Sequence, residues 1–245
     1  VVKIFAITNQ KGGVGKTTTT VNLAASLAAT KRKILLIDLD PQGNATMGSG
    51  INKSEVDYSA YDLLTKKAQF QQIVTRSAAG RYDVIPANGD LTAAEVELLN
   101  EIGREHRLKT TLAKVKDQYD FILIDCPPSL GLLTLNALVV SDSVLIPIQS
   151  EFLALEGLKG LSETIRLVKE NFNKNLKILG ILITMHSKRL KLARKVENLL
   201  KSNFKNKLFK TTINRNVRLA EAPDDGKPAI VYDVDCAGAK NYMDL

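Results

Sequence analysis

Short apolar runs alternate with longer segments of helical period along most of the chain, the pattern of a parallel sheet covered by helices on both faces. Runs at residues 3–8, 33–38, 82–85, 121–125, 143–148 and 177–184 read as strands, and residues 17–29, 91–115, 130–139, 156–171 and 188–203 as helices. The simplest account is an α/β fold: a single doubly wound, mostly parallel sheet spanning residues 1–245 as one domain, with no repeat or linker. Residues 41–50 (PQGNATMGSG) are the largest irregular segment and follow a strand that ends at two aspartates. Ligands of open parallel sheets bind beyond the C-terminal strand ends, so this segment is a candidate switch loop.

Composition narrows the class. The 245 residues are 44% hydrophobic and 24% charged, ordinary globular material whose length allows a core without disulfide or metal staples. No apolar stretch approaches the ~20 residues that span a bilayer. The N-terminal residues read as a buried strand and not as a secretory leader, so a cytoplasmic location is expected. Cys126 and Cys236 are too few for a disulfide framework or a four-ligand zinc site, and they read as packing residues; His106 and His186 receive no role. The net charge of +8 is unevenly placed. Residues 186–218 carry eleven Lys and Arg against one acid, Glu197, while the remainder of the chain nets −2. A basic segment of this kind points to a polyanion, with duplex DNA favoured because Phe204 and Phe209 read as core and leave little to stack on bases.

The chemistry concentrates in Gln10-Lys11-Gly12-Gly13-Val14-Gly15-Lys16-Thr17-Thr18, set between the first strand and the first helix. That context is the one a P-loop requires: glycines let backbone amides converge on phosphate, Lys16 reaches the β and γ phosphates, and Thr17 ligates magnesium. Gln10 stands where the usual pattern has its first glycine, and Lys11 adds a second lysine inside the loop. Lys11 reads either as a solvated charge or as a phosphate ligand, in the second case for the nucleotide of a facing subunit. Asp125 ends an apolar strand, where a carboxylate can hold magnesium. Asp38 and Asp40 close another strand, their side chains on one side if the extended backbone continues. Thr184-Met185 and residues 213–216 sit at strand ends that can approach the base.

Four segments carry a family resemblance: Lys11-Gly-Gly-Val-Gly-Lys16-Thr-Thr, Asp38-Leu-Asp40-Pro-Gln-Gly-Asn-Ala-Thr, Asp125-Cys-Pro-Pro-Ser-Leu-Gly and Arg215-Asn-Val-Arg218-Leu-Ala-Glu-Ala-Pro223. Together they resemble the ParA/Soj family of partition ATPases over essentially the whole chain. The resemblance implies a P-loop NTPase fold with a deviant Walker motif, ATP and Mg2+ as ligands, and an ATP-bound sandwich homodimer. It further implies that the dimer binds nonspecific duplex DNA, is nucleoid-associated, and hydrolyses ATP on stimulation by a ParB/Spo0J-like partner. By the same resemblance Lys11, Lys16 and Asp40 are catalytic, Asp40 activating the attacking water, and Asp38 belongs to the loop linking phosphate state to dimer state. Met185, Asn214 and Asn216 join Lys11 to Thr18 around the nucleotide, although the family usually has proline where this chain has Asn214. Lys188, Arg189, Arg215, Arg218 and Lys227 make the DNA surface. Asp224-Asp225 and Val234-Asp235-Cys236 depart from the family pattern toward less positive charge. The alternative is a MinD-like membrane-cycling ATPase, which needs a C-terminal amphipathic helix not found here; family members usually continue by a further helical stretch, so a shortened C-terminus is expected. No helix-turn-helix precedes the P-loop, which argues against operator-specific repression.

Overall fold

The computed structural model describes residues 1–151, 154–187, 191–204 and 206–245. Its strands are β1 (Lys3–Ile7), β2 (Ile34–Asp38), β3 (Thr75–Ser77), β4 (Tyr82–Ile85), β5 (Phe121–Asp125), β6 (Ser143–Gln149), β7 (Lys177–His186) and β8 (Leu208–Asn214). Among the described residues they form one eight-stranded sheet in the order β3-β4-β2-β5-β1-β6-β7-β8. Every neighbouring pair is parallel except β3 with β4. The chain winds from β1 toward β2 on one side and from β5 past β1 to β6 on the other, which opens a crevice beyond the C-terminal ends of the central strands.

The helices are α1 (Lys16–Ala29), α2 (Asn44–Gly48), α3 (Ala60–Thr65), α4 (Phe70–Ile73), α5 (Leu91–Glu97), α6 (Arg107–Leu112), α7 (Leu132–Val140), α8 (Ala154–Asn171), α9 (Lys191–Phe204), α10 (Arg218–Glu221), α11 (Ala229–Tyr232) and α12 (Ala237–Met243). Alternate residues of each central strand feed opposite cores, as the two-residue side-chain period demands. Leu35, Ile37, Ile122 and Ile124 pack under α3 and α5 to α9, while Ile34, Leu36 and Leu123 pack under α1, α2 and α12. Burying both faces of the strands removes the polar alternation that an exposed sheet would show.

Four expectations are corrected. The helix expected over 91–115 is interrupted: Glu101 is extended and Gly103 is left-handed (φ 70°), so the pattern splits into α5, two short 3-10 turns and α6. The segment 41–50 is not wholly irregular, since it contains α2, entered through left-handed Gly43. Strand β3 is absent from the expected strands and strand β8 is implied only by placing residues 213–216 at a strand end; both flank the sheet, and most of their positions are exposed or half-buried, which blurs the apolar signal. The extended backbone does not continue beyond Asp38: β2 ends there, and the Asp40 amide donates to Asp38 Oδ1 at 3.1 Å.

Candidate functional site

The loop between β1 and α1 is shaped by two left-handed glycines, Gly13 (φ 72°) and Gly15 (φ 84°), conformations that an L side chain rarely adopts. A Cβ built on Gly12 or Gly13 meets nothing within 4 Å, so the loop turns an open backbone face outward. Its inner side is pinned. Thr184 Oγ1 donates to the Val14 carbonyl (2.7 Å) and Gln149 Nε2 to that of Gly13 (2.8 Å), while the Val14 side chain is buried. The N-terminus of α1 follows directly, adding its positive dipole end and unpaired amides. An anion is the ligand that this geometry suits.

Lys16 is buried and its ammonium donates to the Lys11 carbonyl at 3.1 Å. Burial lowers its pKa, against which Asp125 and Asp40 pull upward. Lys11, half-exposed, is ion-paired to Glu151 across the loop. Asp125 is fully buried and accepts from Thr17 Oγ1 (2.7 Å) and Thr20 Oγ1 (2.9 Å), one hydroxyl on each carboxylate oxygen. Parallel register sets Asp125 directly beside Asp38. Burial, and then the neighbouring Asp38 carboxylate, push Asp125 up to about 8; burial pushes Asp38 up to about 6, opposed by its hydrogen bonds. Two buried carboxylates side by side, with the Lys16 ammonium the nearby cation acting on Asp125, are a place for a further cation. The oxygens of Thr17 and Asp125 are hard donors of the kind magnesium prefers, so the expected ligand pair is brought together and fits.

Asp38 is an anchor. It accepts from the Thr46 amide (2.8 Å) and Thr46 Oγ1 (2.7 Å), and that hydroxyl in turn accepts from the Ala87 amide (2.9 Å), so one buried carboxylate holds α2 against β2 and β4. Asp40, two residues beyond the end of β2, accepts from the Gln42 amide (3.0 Å). Sequence reasoning makes no reading of Thr20, Thr46, Gln149 or Glu151, and it places Thr184 near the base and not against the loop. The run Thr17-Thr18-Thr19-Thr20 was the available signal for the first, because one helical turn separates the hydroxyls of Thr17 and Thr20 and both reach the same carboxylate.

Beside the loop lies a cavity of about 430 Å³, lined among others by Gly15, Thr18, Met185, Asn214 and Asn216. The structure therefore brings the expected base-binding residues together. Met185 holds a left-handed backbone (φ 48°), an uncommon conformation for a side chain of its size. Leu219 and Tyr242 complete the wall, contributed by α10 and α12, which sequence reasoning had not placed.

The expected polyanion surface is more mixed. Lys188 and Arg189 lie outside the described residues. Arg215 is exposed at the mouth of the cavity. Arg218 pairs with Glu221 (2.8 Å) and Asp233 (3.4 Å), and Lys227 with Asp225 (3.4 Å), so neither is an unpaired cation in this state. Helix α9 turns Ala193, Val196 and Leu200 inward and Lys195 and Lys201 outward. Phe204 and Phe209 pack against the core as expected. His186 is buried with Nε2 3.8 Å from Glu197, and Cys126 is buried with its thiol pushed up by burial, consistent with packing. Among the described residues no helix is long and apolar enough to cross a membrane.

Residues 2–178 match the model of an AAA domain family. The chain is 54% identical over 243 residues to the sporulation initiation inhibitor protein Soj of Bacillus subtilis, covering 99% of this chain and 96% of the relative. It is 48% identical to the chromosome-partitioning ATPase Soj of Treponema pallidum, with 99% and 95% covered. The solved structure of cobyrinic acid a,c-diamide synthase from Mycobacterium smegmatis with bound ATP analog and magnesium superposes with a TM-score of 0.87 at 34% identity, covering 100% of this chain and 92% of that one. Full-length identity at this level, to proteins carrying these names, agrees with the phosphate-type loop and paired strand-end carboxylates described above: the chain belongs to the ParA/Soj family of partition ATPases.

Proposed function

We propose that the chain is a magnesium-dependent ATPase that dimerises on ATP, binds duplex DNA as the dimer, and releases it on hydrolysis stimulated by a ParB/Spo0J-like partner. The solved relative with an ATP analog and magnesium supports the ligands. The backbone face at Gly12 and Gly13 and the ammonium of Lys16 bind the phosphates. Thr17 and Asp125 would hold Mg2+, which when bound neutralises charge on the phosphate oxygens. Asp40, at the crevice edge, orients the attacking water. Lys11 leaves Glu151 and meets the phosphates of the facing subunit, so the second lysine completes a site only in the dimer. Met185, Asn214 and Asn216 hold the base.

One observation carries the coupling to DNA. A Cβ on Gly50 would lie 2.7 Å from the Gly226 carbonyl, and one on Gly226 would lie 2.8 Å from the Gly50 Cα. The end of the segment that begins at Asp40 thus touches, backbone to backbone, the turn carrying Asp224, Asp225 and Lys227. A change in α2 on hydrolysis reaches the cationic surface through that contact, which gives the two nucleotide states different affinities for DNA. ATPase rate and duplex binding, measured together across a salt series for the parent and for Arg215→Ala plus Arg218→Ala, test the reading. The parent should bind duplex only with ATP, and the variant should lose about 1 from the log–log salt slope per phosphate contact removed. Duplex binding by the parent that is identical with and without ATP would refute the coupling.

A further inference from the structure

Among the described residues β8 is the last strand of the sheet, and it pairs with β7. Successive amides of an extended strand point to opposite sides. The Arg215 amide donates to the His186 carbonyl of β7 (3.2 Å), so the Asn214 amide, one residue earlier, points off the open edge. No strand is there to receive it. The receiver is a side chain of the C-terminal helix: the Asn214 amide donates to Asn241 Oδ1 of α12 at 3.0 Å, from a residue 27 positions away.

Asn241 is half-buried and does not line the base cavity, whereas Asn214 does. The two asparagines in the lining differ in what they have to offer. Asn216 Oδ1 already accepts from the Arg218 amide (2.9 Å). The side-chain amide of Asn214 makes no hydrogen bond among the described residues, so its donor and its acceptor are both available. An asparagine amide presents that pair in the spacing of the adjacent donor and acceptor on an adenine edge. Such a contact is worth most when the group making it is already fixed, because ordering it on binding costs entropy.

The rest of α12 is built to hold still. Gly238 lies so close to α10 that a Cβ on it would meet Leu219 Cγ at 2.5 Å, and Leu219 is a cavity wall. Thr211 Oγ1 of β8 donates to the Asp244 carbonyl (3.0 Å), just past the end of α12. Tyr242, another wall, lies 3.1 Å from Thr19 Oγ1 through its hydroxyl. With the helix tied to β8, α10 and α1, Asn241 reaches Asn214 from a fixed support. We propose that Asn241 is a positioning residue of the base site: it locks the Asn214 backbone so that the Asn214 amide stands ready for the base, and it sets affinity for the nucleoside part of the ligand without touching base or phosphate. The proposal rests on the reading that this cavity holds the base of ATP.

The test compares two ligands of the full chain that share their phosphates and differ in the nucleoside, ADP and inorganic pyrophosphate, each with magnesium. Asn241→Ala removes the acceptor, and Asn241→Asp keeps an oxygen in its place. Asn241→Ala should bind ADP about tenfold more weakly than the parent and pyrophosphate within about twofold of it. Asn241→Asp should hold ADP within about twofold of the parent. In steady-state hydrolysis by Asn241→Ala, KM for ATP should rise while kcat stays at the parent's value, the mark of binding lost equally before and at the transition state. A measurement on the parent keeps the test independent of how the variants fold: hydrogen exchange at the Asn214 amide should slow with ADP and not with pyrophosphate. Equal weakening of ADP and pyrophosphate in Asn241→Ala would make the contact merely structural and overturn the proposal. ADP affinity unchanged in that variant, or Asn214 exchange indifferent to the nucleoside, would overturn it too. A parent that binds ADP no better than pyrophosphate would instead refute the base reading of the cavity, and the proposal with it.

Discussion

Two hydroxyls, Thr17 and Thr20, clasp the buried Asp125 carboxylate, and they differ in what they can give up. Thr17 Oγ1 sits at the open end of α1 and is free to exchange its carboxylate contact for a cation. Thr20 is buried, and its hydroxyl also lies 3.0 Å from the Lys16 carbonyl. Replacing it by valine keeps the shape and leaves one oxygen of Asp125 without a donor, so Thr20→Val should destabilise the apo protein by about 1–3 kcal/mol, read as a lower midpoint in urea unfolding. Asp40 belongs to a different class. Among the described residues its carboxylate makes one hydrogen bond, a local turn contact to the Gln42 amide, so Asp40→Ala should leave the unfolding free energy within about 0.5 kcal/mol of the parent's. Single-turnover hydrolysis should nevertheless fall by about 10² or more, with nucleotide still bound and the dimer retained on DNA. Normal turnover in that variant would remove Asp40 from the mechanism.

At the scale of elements, the Gly50–Gly226 contact is the joint between the phosphate end and the turn carrying Asp224, Asp225 and Lys227. Both residues are left-handed (φ 78° and 63°) and both face backbone and not a flexible side chain. Gly226→Ala should therefore cost about 1–3 kcal/mol and weaken ATP-dependent duplex binding more than ATP hydrolysis, seen as a split between the two assays on one preparation. Equal losses in both would mean that the contact is merely structural. The same joint shows why part of this fold was legible in the chain and part was not. Central strands announce themselves because β2 and β5 are buried on both faces, and the P-loop because its glycines, lysine and threonine stand in register between a strand and a helix. Helix α2 stays hidden because, Met47 apart, its residues are small or polar and it is held by a carboxylate, Asp38, eight residues upstream of Thr46. Strand β8 hides because Lys210, Thr211 and Thr212 interrupt its apolar positions at a sheet edge. Thr184, Gln149 and Glu151 reach the loop only through tertiary folding, about 140 residues or more away in the chain.

For the molecule as a whole, charge and topology set the behaviour. The strand ends divide it into a phosphate end, where Lys16, Asp125, Asp38 and Asp40 crowd into a crevice, and an opposite end where Lys31, Arg32, Lys33, Arg76 and Arg81 line a cleft. Between the crevice and the C-terminal helices the base cavity is closed by Tyr242, whose hydroxyl lies 3.1 Å from Thr19 Oγ1, so α12 rests on the very helix that begins at the P-loop. Ligand in that cavity should consequently raise the thermal midpoint of the whole domain, by an amount that grows with the logarithm of nucleotide concentration. Under the proposed reading, Lys11 pairs with Glu151 in the single protomer and exchanges that partner for phosphate of another copy. Sedimentation of the chain with magnesium and a nonhydrolysable ATP analogue, beside Lys11→Ala, tests that claim most directly. The parent should run as a dimer and the variant as a protomer that still binds nucleotide; a parent that stays single at saturating analogue, or a variant that dimerises as well as the parent, would contradict it.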